Sequence, residues 1–300
     1  MVNEIENKNG EYIIFDTQGG HGKNIQATAV IRAIKKQYPY HKIVVTCSWD
    51  APFFYNPDVY RFYLHGQMQY FKDDYVNDNT IIMKHDPYNE SNHILGKEHL
   101  TESWCRICGV NYDGHKPNIY VNPREIEIAT DKIKPNGKPI MLLQTHGGSN
   151  QQYSKKSWYR DMPIDTAQKV VNHFNKKYRI LHIRSQEQPA LQGVEPITLP
   201  LRELYGVFPL STKRLFIDSF SPHVAAGLGL QSTVLWIGNK PEVFGYPEHI
   251  NVLPSAKRVR EFNKFTYLID DISGFVQQFP YDTVNVFNLD EIIASVESQT

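Results

Sequence analysis

Residues 215 to 238 (LFIDSFSPHVAAGLGLQSTVLWIG) constrain the fold more than any other stretch of the chain. An apolar run, Leu215 to Ile217, ends in Asp218 and Ser219. A short polar turn, a small-residue helix from about His223 to Gly229 and a second apolar run, Thr233 to Ile237, follow. Strand, turn, helix, strand is the repeating unit of a parallel α/β sheet. Ser221 is expected to cap the helix, with Pro222 in its first turn, where no N–H is needed. The N–H groups of His223 and Val224 would then face the crevice at the strand's carboxyl end, and such a helix start attracts phosphate. An ordinary, well-capped βαβ turn has the same pattern.

The chain starts this architecture twice. A strand from Tyr12 to Asp16 leads through a glycine turn (Gly19, Gly20, Gly22) into a helix ending near Tyr38, before Pro39. Ile25, Ala29, Val30, Ala33 and Ile34 form one helical face. Strand Lys42 to Cys47 follows, then apolar runs near Val59 to Leu64 and Thr80 to Lys84, and a helix from Glu98 to Cys108. The polar segment Lys132 to Pro139 (KIKPNGKP) is the best linker candidate. Beyond it come strand Ile140 to Thr145, a Gly147–Gly148 turn, helix Ile164 to Lys177, strand Tyr178 to Arg184 and a helix near Leu201 to Phe208. The expected fold class is therefore α/β, two Rossmann-like βαβ domains facing across a cleft, divided as residues 1–135 and 136–300. The last helix, Leu289 to Glu297, packs either with its own domain or back on the first.

Three hundred residues, 41% of them hydrophobic, suffice for two ordinary cores. Lysine plus arginine and aspartate plus glutamate number 32 each, so no global field draws the chain to nucleic acid or anionic membrane. No apolar stretch approaches the roughly 18 residues of a membrane helix. The polar start MVNEIENKNGEY is unlike a signal peptide, and three cysteines argue against a disulfide framework. The expectation is a cytoplasmic protein without an integral membrane segment, in the host cytoplasm if phage-encoded.

The glycine turn fails both nucleotide signatures. Gly22-Lys23 is followed by Asn24, and Thr17 stands where a P-loop needs its first glycine. Ile25 stands where the dinucleotide fingerprint needs its third. A tight turn that lets another molecule approach the backbone is what remains.

Three segments in order carry a family resemblance. GGHGKNIQATAVIRAIKKQYP (Gly19 to Pro39) resembles the first strand-turn-helix of the ADP-heptose lipopolysaccharide heptosyltransferases and their glycosyltransferase relatives. HGGSNQQYSKKSWYRDMP (His146 to Pro163) is similar to their phosphate-loop segment. LRELYGVFPLSTKRLFIDSFSPHVAAGLGLQSTVLWIG (Leu201 to Gly238) is similar to their Asp-Ser/Thr-Gly…His-x-Ala-Ala segment. Residues 52–136 show no quotable resemblance.

The resemblance implies a GT-B fold in which the N-terminal domain takes the acceptor, the C-terminal domain holds a nucleotide-sugar and chemistry happens between them. It implies no metal and no cofactor beyond the nucleoside-diphosphate sugar, the donor substrate. The chain also lacks an Asp-x-Asp triplet. Lys155 or Lys156 matches the family's diphosphate-binding lysine, and Asp218, Ser219 and His223 match its donor-phosphate turn, with Ser221 beside them. Glu187 is the assignment for the ribose-contacting acid. A cationic side chain and helix-start N–H groups would stabilise the leaving diphosphate as the glycosidic bond breaks.

One position departs from the family. Its presumed general base is an aspartate directly after the third glycine of the first turn, and Lys23 stands there. An ordinary lysine, protonated at neutral pH, cannot accept the acceptor's proton. Candidate replacements at strand ends are His21, Asp16, Asp50 and the His85–Asp86 pair. Gly20, Gly22 and Lys23 are assigned to substrate contact, with Lys23 on an anionic acceptor or the donor phosphate. Cys105-x-x-Cys108 with His99 and His115 reads as buried thiols rather than zinc ligands. The aromatic density from Trp49 to Tyr75 suits core packing, or stacking on sugars or an extruded base.

The reading is a metal-independent, inverting glycosyltransferase acting on a surface glycan or lipid-linked sugar. Two alternatives stay open: a phage-type enzyme modifying a hydroxymethylated DNA base, and a non-catalytic nucleotide-sugar binder. Donor nucleotide, sugar and oligomeric state are not legible.

Overall fold

The computed structural model describes residues 11–147, 160–255 and 285–300. The chain separates into two compact units, Met1–Tyr120 and Val121–Thr300.

In the first unit, strands β1 (Tyr12–Thr17), β2 (Lys42–Cys47), β3 (Arg61–Leu64) and β4 (Ile81–Met83) form one sheet in the order β3-β2-β1-β4. Every pair is parallel. β1 and β2 carry near-continuous buried apolar runs, as a sheet covered on both faces requires. Helix α1 (His21–Gln37) leaves the glycine turn with Gly20 as its N-cap and ends on Lys35 and Lys36, cations that suit a helix C-terminus. Its apolar face packs with Ile13, Phe15, Val45, Phe53 and the ring of Trp104. Trp104 lies on α4 (Leu100–Ile107), reached through the short helices α2 (Phe71–Tyr75) and α3 (Ser91–Ile94). Cys47, Cys105 and Cys108 are buried free thiols. Burial pushes each of them up to about 12, which keeps them unreactive.

The second unit opens with α5 (Pro123–Ile133), started by a complete capping box between Asn122 and Glu125 and by Pro123 in the first turn. The expected linker Lys132 to Pro139 thus begins inside a helix of this unit. Strands β5 (Ile140–Leu143), β6 (Arg179–Ile183), β7 (Glu195–Ile197), β8 (Ser211–Ile217), β9 (Thr233–Leu235) and β10 (Ile250–Val252) form a six-stranded sheet in the order β10-β9-β8-β5-β6-β7. All of its pairs are parallel too. The intervening helices are α6 (Ile164–Phe174), α7 (Leu201–Val207), α8 (Phe220–Gly227) and the single-turn α9 (Pro241–Phe244). Helix α10 (Leu289–Glu297) places Ile292 and Val296 in the same core as Val170, Val171 and Leu235, so it belongs with this unit's sheet.

α5 and α7 approach unusually closely. A Cβ on Gly206 would stand 2.6 Å from the Glu125 carbonyl oxygen and 3.0 Å from Ala129 Cβ. Arg202 forks onto Glu125 beside that contact, with Nε donating to Oε1 at 2.7 Å and Nη2 to Oε2 at 2.6 Å.

The strand order reverses direction of growth beside β1 in the first sheet and between β5 and β8 in the second. Open parallel sheets take ligands at the carboxyl ends of strands flanking such points.

Candidate functional site

At the switch point of the second sheet, β8 runs into Asp218 and Ser219. Helix α8 starts two residues earlier than its sequence suggests, because Ser219 rather than Ser221 is the N-cap. Ser219 makes no side-chain cap bond; its Oγ instead accepts from Gln144 Nε2 at 3.1 Å, tying the end of β5 to the end of β8. Ser221 therefore lies in the first helical turn, 0% exposed, and its hydroxyl has no hydrogen-bond partner among the described residues. Gln144, 4% exposed, leaves its Oε1 in the same condition. Buried polar atoms without partners are rare, since each costs about 1–3 kcal/mol. The loop after β5 lies against this turn: a Cβ on Gly147 would meet Ser219 Oγ and Ile217 Cδ1, each at 3.5 Å.

Asp218 is buried and accepts from Asn239 Nδ2. Desolvation raises its carboxyl above the usual range, while Arg160 and the Asn239 contact pull in the opposite direction. His223 is buried with Nδ1 at 2.6 Å from Tyr246 Oη, so this ring braces the helix through one nitrogen. His249 holds the preceding residue through Nε2 and the Pro222 carbonyl at 2.9 Å. Glu187 lies in an exposed turn after β6. Lys155 and Lys156 fall outside the described residues.

Because folding raises the Asp218 pKa, the native state holds this proton more tightly than the unfolded chain. Stability then falls as pH rises from the unfolded carboxylate range through the raised value. Asp218→Asn is expected to remove that loss. Its melting temperature should match wild type near pH 4 and exceed it at pH 7.5. Calorimetry at the two pH values reads the difference.

A second cluster, unforeseen from sequence, closes the ends of β5 and β6. Thr145 Oγ1 bridges His146 Nδ1 at 2.8 Å and His182 Nε2 at 2.9 Å. Asp161 accepts the Gly147 N–H at 2.9 Å. Burial lowers His182 to about 4. Between that value and the unfolded value near 6.5, the unfolded chain binds the extra proton, so stability falls as pH drops. The His182 share should be about 2 kcal/mol between pH 7 and 5. His182→Gln should lose correspondingly less stability over that interval in paired urea titrations.

The first unit gathers polar groups at all four strand ends. Gly19, at φ +102°, is the position of the turn that demands glycine, whereas Gly20 is ordinary extended backbone and Gly22 is already helical. Lys23 does not face solvent: it is 6% exposed, with its ammonium 5.1 Å from the Tyr88 ring centre and 5.4 Å from that of Trp104. It donates to Asp86 Oδ1 at 2.9 Å. Asp86 also caps the turn Pro87–Asn89 by accepting from the Tyr88 N–H. The lysine in the family's base position is thus paired with a carboxylate delivered from the end of β4.

His21, the first residue of α1, stands edge-on to Trp49 with ring centres 5.4 Å apart. Burial lowers it to about 3, so it is neutral at physiological pH and a weak base. Asp16, near the end of β1, has three polar partners: Oδ1 accepts from Thr46 Oγ1 at 2.6 Å and contacts His65 Nε2 at 2.9 Å, and Oδ2 accepts from Gln18 at 3.2 Å. His65 follows β3 directly, and its Nδ1 lies 3.5 Å from Ser48 Oγ, just after β2. Ser48 in turn accepts the Gly19 N–H at 3.3 Å. Asp50 occurs in the same loop as the N-cap of a short turn. Neither His65 nor Ser48 was singled out in the sequence, where only a turn signal after an apolar run marks them.

No family model and no curated protein matches the chain. Solved structures do. A glycosyltransferase family 9 protein from Veillonella parvula superposes with a TM-score of 0.66 at 11% identity, covering 96% of each chain. ADP-heptose lipopolysaccharide heptosyltransferase II of E. coli gives a TM-score of 0.62 at 10% identity over 86% of this chain and 98% of that one. The dodecameric iron-containing heptosyltransferase TibC, in complex with ADP-D-beta-D-heptose, gives 0.63 at 16% identity over 97% and 75%. The chain has the GT-B-type α/β fold of the heptosyltransferase-like glycosyltransferases. Among the described residues no helix is long and apolar enough to cross a membrane.

Proposed function

We propose that this protein is a glycosyltransferase that moves a sugar from a nucleoside-diphosphate sugar to an acceptor hydroxyl with inversion and without a metal ion. The observation that carries the reading is the turn at the β5/β8 switch point. There Ser221 Oγ and Gln144 Oε1 are buried beside the start of α8 and have no partner among the described residues. A diphosphate and its ribose offer the acceptors and donors those atoms lack. The fold likeness favours a nucleotide-sugar as donor, since TibC is described in complex with ADP-D-beta-D-heptose. In this reading the second unit holds the donor, with Lys155 or Lys156 as its cation. The first unit engages a glycan or lipid-linked acceptor. As the anomeric carbon–oxygen bond breaks, charge grows on the departing diphosphate, and preorganised donors favour that state over the ground state.

Calorimetric titration with ADP, UDP and GDP should find one that binds in the micromolar range, and Ser221→Val should weaken it about tenfold. Free diphosphate should then be released from the matching sugar donor in the presence of chelator. Absence of binding by all three would remove the donor site. Binding without release from any donor would leave a non-catalytic nucleotide-sugar binder. A salt-sensitive mobility shift on hydroxymethylated duplex DNA would move the acceptor assignment from glycan to DNA.

A further inference from the structure

The geometry points to His65, held by Asp16, as the general base that the first glycine turn lacks, acting on the acceptor hydroxyl of the transfer proposed above. This rests on the glycosyltransferase reading and adds the residue that would take the proton.

The two residues meet across the carboxyl ends of three adjacent strands. Asp16 is one residue from the end of β1, and His65 follows β3; β2 lies between them and contributes Thr46 and Ser48. A carboxylate can only accept, so the neutral tautomer that satisfies the 2.9 Å contact carries its proton on Nε2. The lone pair is then on Nδ1, the nitrogen turned to the Ser48 hydroxyl. Carboxylate, imidazole and hydroxyl follow one another in the sequence of roles that activates a hydroxyl in acyl-transfer enzymes. Thr46 and Gln18 lock the carboxylate from its other sides, which fixes the imidazole plane. The His65 side chain remains 32% exposed, open to a ligand, while that of Asp16 is 13% exposed.

The other candidates are less suited. Asp86 is neutralised by Lys23 and capped onto the Tyr88 N–H. His21 packs edge-on to Trp49. Asp16 already serves Thr46, Gln18 and His65, so it is a positioning residue.

The step balances as follows. The acceptor O–H breaks and its proton passes to His65 Nδ1. The oxygen forms a bond to the anomeric carbon, and the electron pair of the bond from that carbon to the phosphate oxygen leaves with the nucleoside diphosphate. The imidazolium is stabilised by Asp16 until product release.

The test uses the full chain with a panel of ADP-, UDP- and GDP-sugars, reading diphosphate release to water and to a mixed glycan panel. Nucleoside diphosphate binding is measured in parallel. His65→Gln should lower kcat at least 100-fold, with donor KM and diphosphate affinity within twofold of wild type. Asp16→Asn should show the same split between kcat and KM, because an amide can hold the wrong tautomer. Added imidazole should restore part of the rate to His65→Ala, which a structural role would not permit. Normal turnover in His65→Gln, or a loss without imidazole rescue and with equally weakened donor binding, overturns the assignment. A wild-type chain that binds a diphosphate yet releases none from any donor also overturns it, leaving the donor site intact. A chain that binds no diphosphate removes the parent reading, and the base falls with it.

Discussion

Lys23→Asp, which installs the residue that the family resemblance places after the glycine turn, is expected to damage the protein rather than improve it. The side chain is buried, and its partner Asp86 would face a second carboxylate where it now accepts an ammonium at 2.9 Å. Breaking a buried ion pair by charge reversal costs more than the pair contributes, because the new charge is desolvated and repelled. The Asp86 side chain is 50% exposed, which tempers the penalty, so about 2–4 kcal/mol is the expected loss of stability. Turnover should fall at least tenfold, since the same turn carries Gly19 and, through it, Ser48. Lys23→Met, which keeps the aliphatic stem against Trp104 and releases Asp86 to water, should cost only about 1 kcal/mol. Urea denaturation of the two variants, with diphosphate release beside it, reads both effects. Faster release by Lys23→Asp would show that the lysine had displaced a functional carboxylate and that no other base had taken its place.

Gly206→Val should strongly destabilise the second unit. Its Cβ would enter the space of the Glu125 carbonyl, a backbone atom that cannot swing aside, and the two methyl groups would press on Ala129. Separating α5 from α7 would also open the bidentate Arg202–Glu125 contact. Overpacking of this kind costs typically about 1–3 kcal/mol, and with the clamp lost about 4 kcal/mol is expected. Gly206→Ala decides between two opposed effects. Alanine gains about 1 kcal/mol in helix propensity, but the 2.6 Å approach outweighs it, so a net loss of about 1–2 kcal/mol is expected. An alanine variant more stable than wild type would mean that the helices separate freely.

Much of the architecture was legible because parallel sheets write themselves into sequence as apolar runs between glycine turns and amphipathic helices. The strand Lys42–Cys47 and the helix Leu289–Glu297 carry the same ends in sequence and structure. The edge strands Glu195–Ile197 and Ile250–Val252 were missed, since three residues with a glutamate, a proline or an asparagine carry no period. The start of α8 was placed two residues late. Ser221-Pro222 is a good local cap signal, yet packing against β5 let Ser219 take the position without a side-chain bond.

The candidate site divides in the same way. Asp218 and Ser219 could be picked out because they end an apolar strand before a small-residue helix. Asp16, Asp86 and His21 could be picked out as titratable groups at turns. Their pairings could not: His65 is 49 residues from Asp16, and Lys23 is 63 residues from Asp86.

What the chain's order of residues determines alone is the alternation of strands and helices, the two sheet-building halves and the turns where chemistry can be placed, because these follow from local periodicity and backbone preference. Tertiary structure alone decided which partners the titratable groups are spent on: Lys23 on Asp86, Asp16 on His65, Asp218 on Asn239. Those pairings depend on strand order, and strand order is set by nonlocal packing that no window of sequence contains.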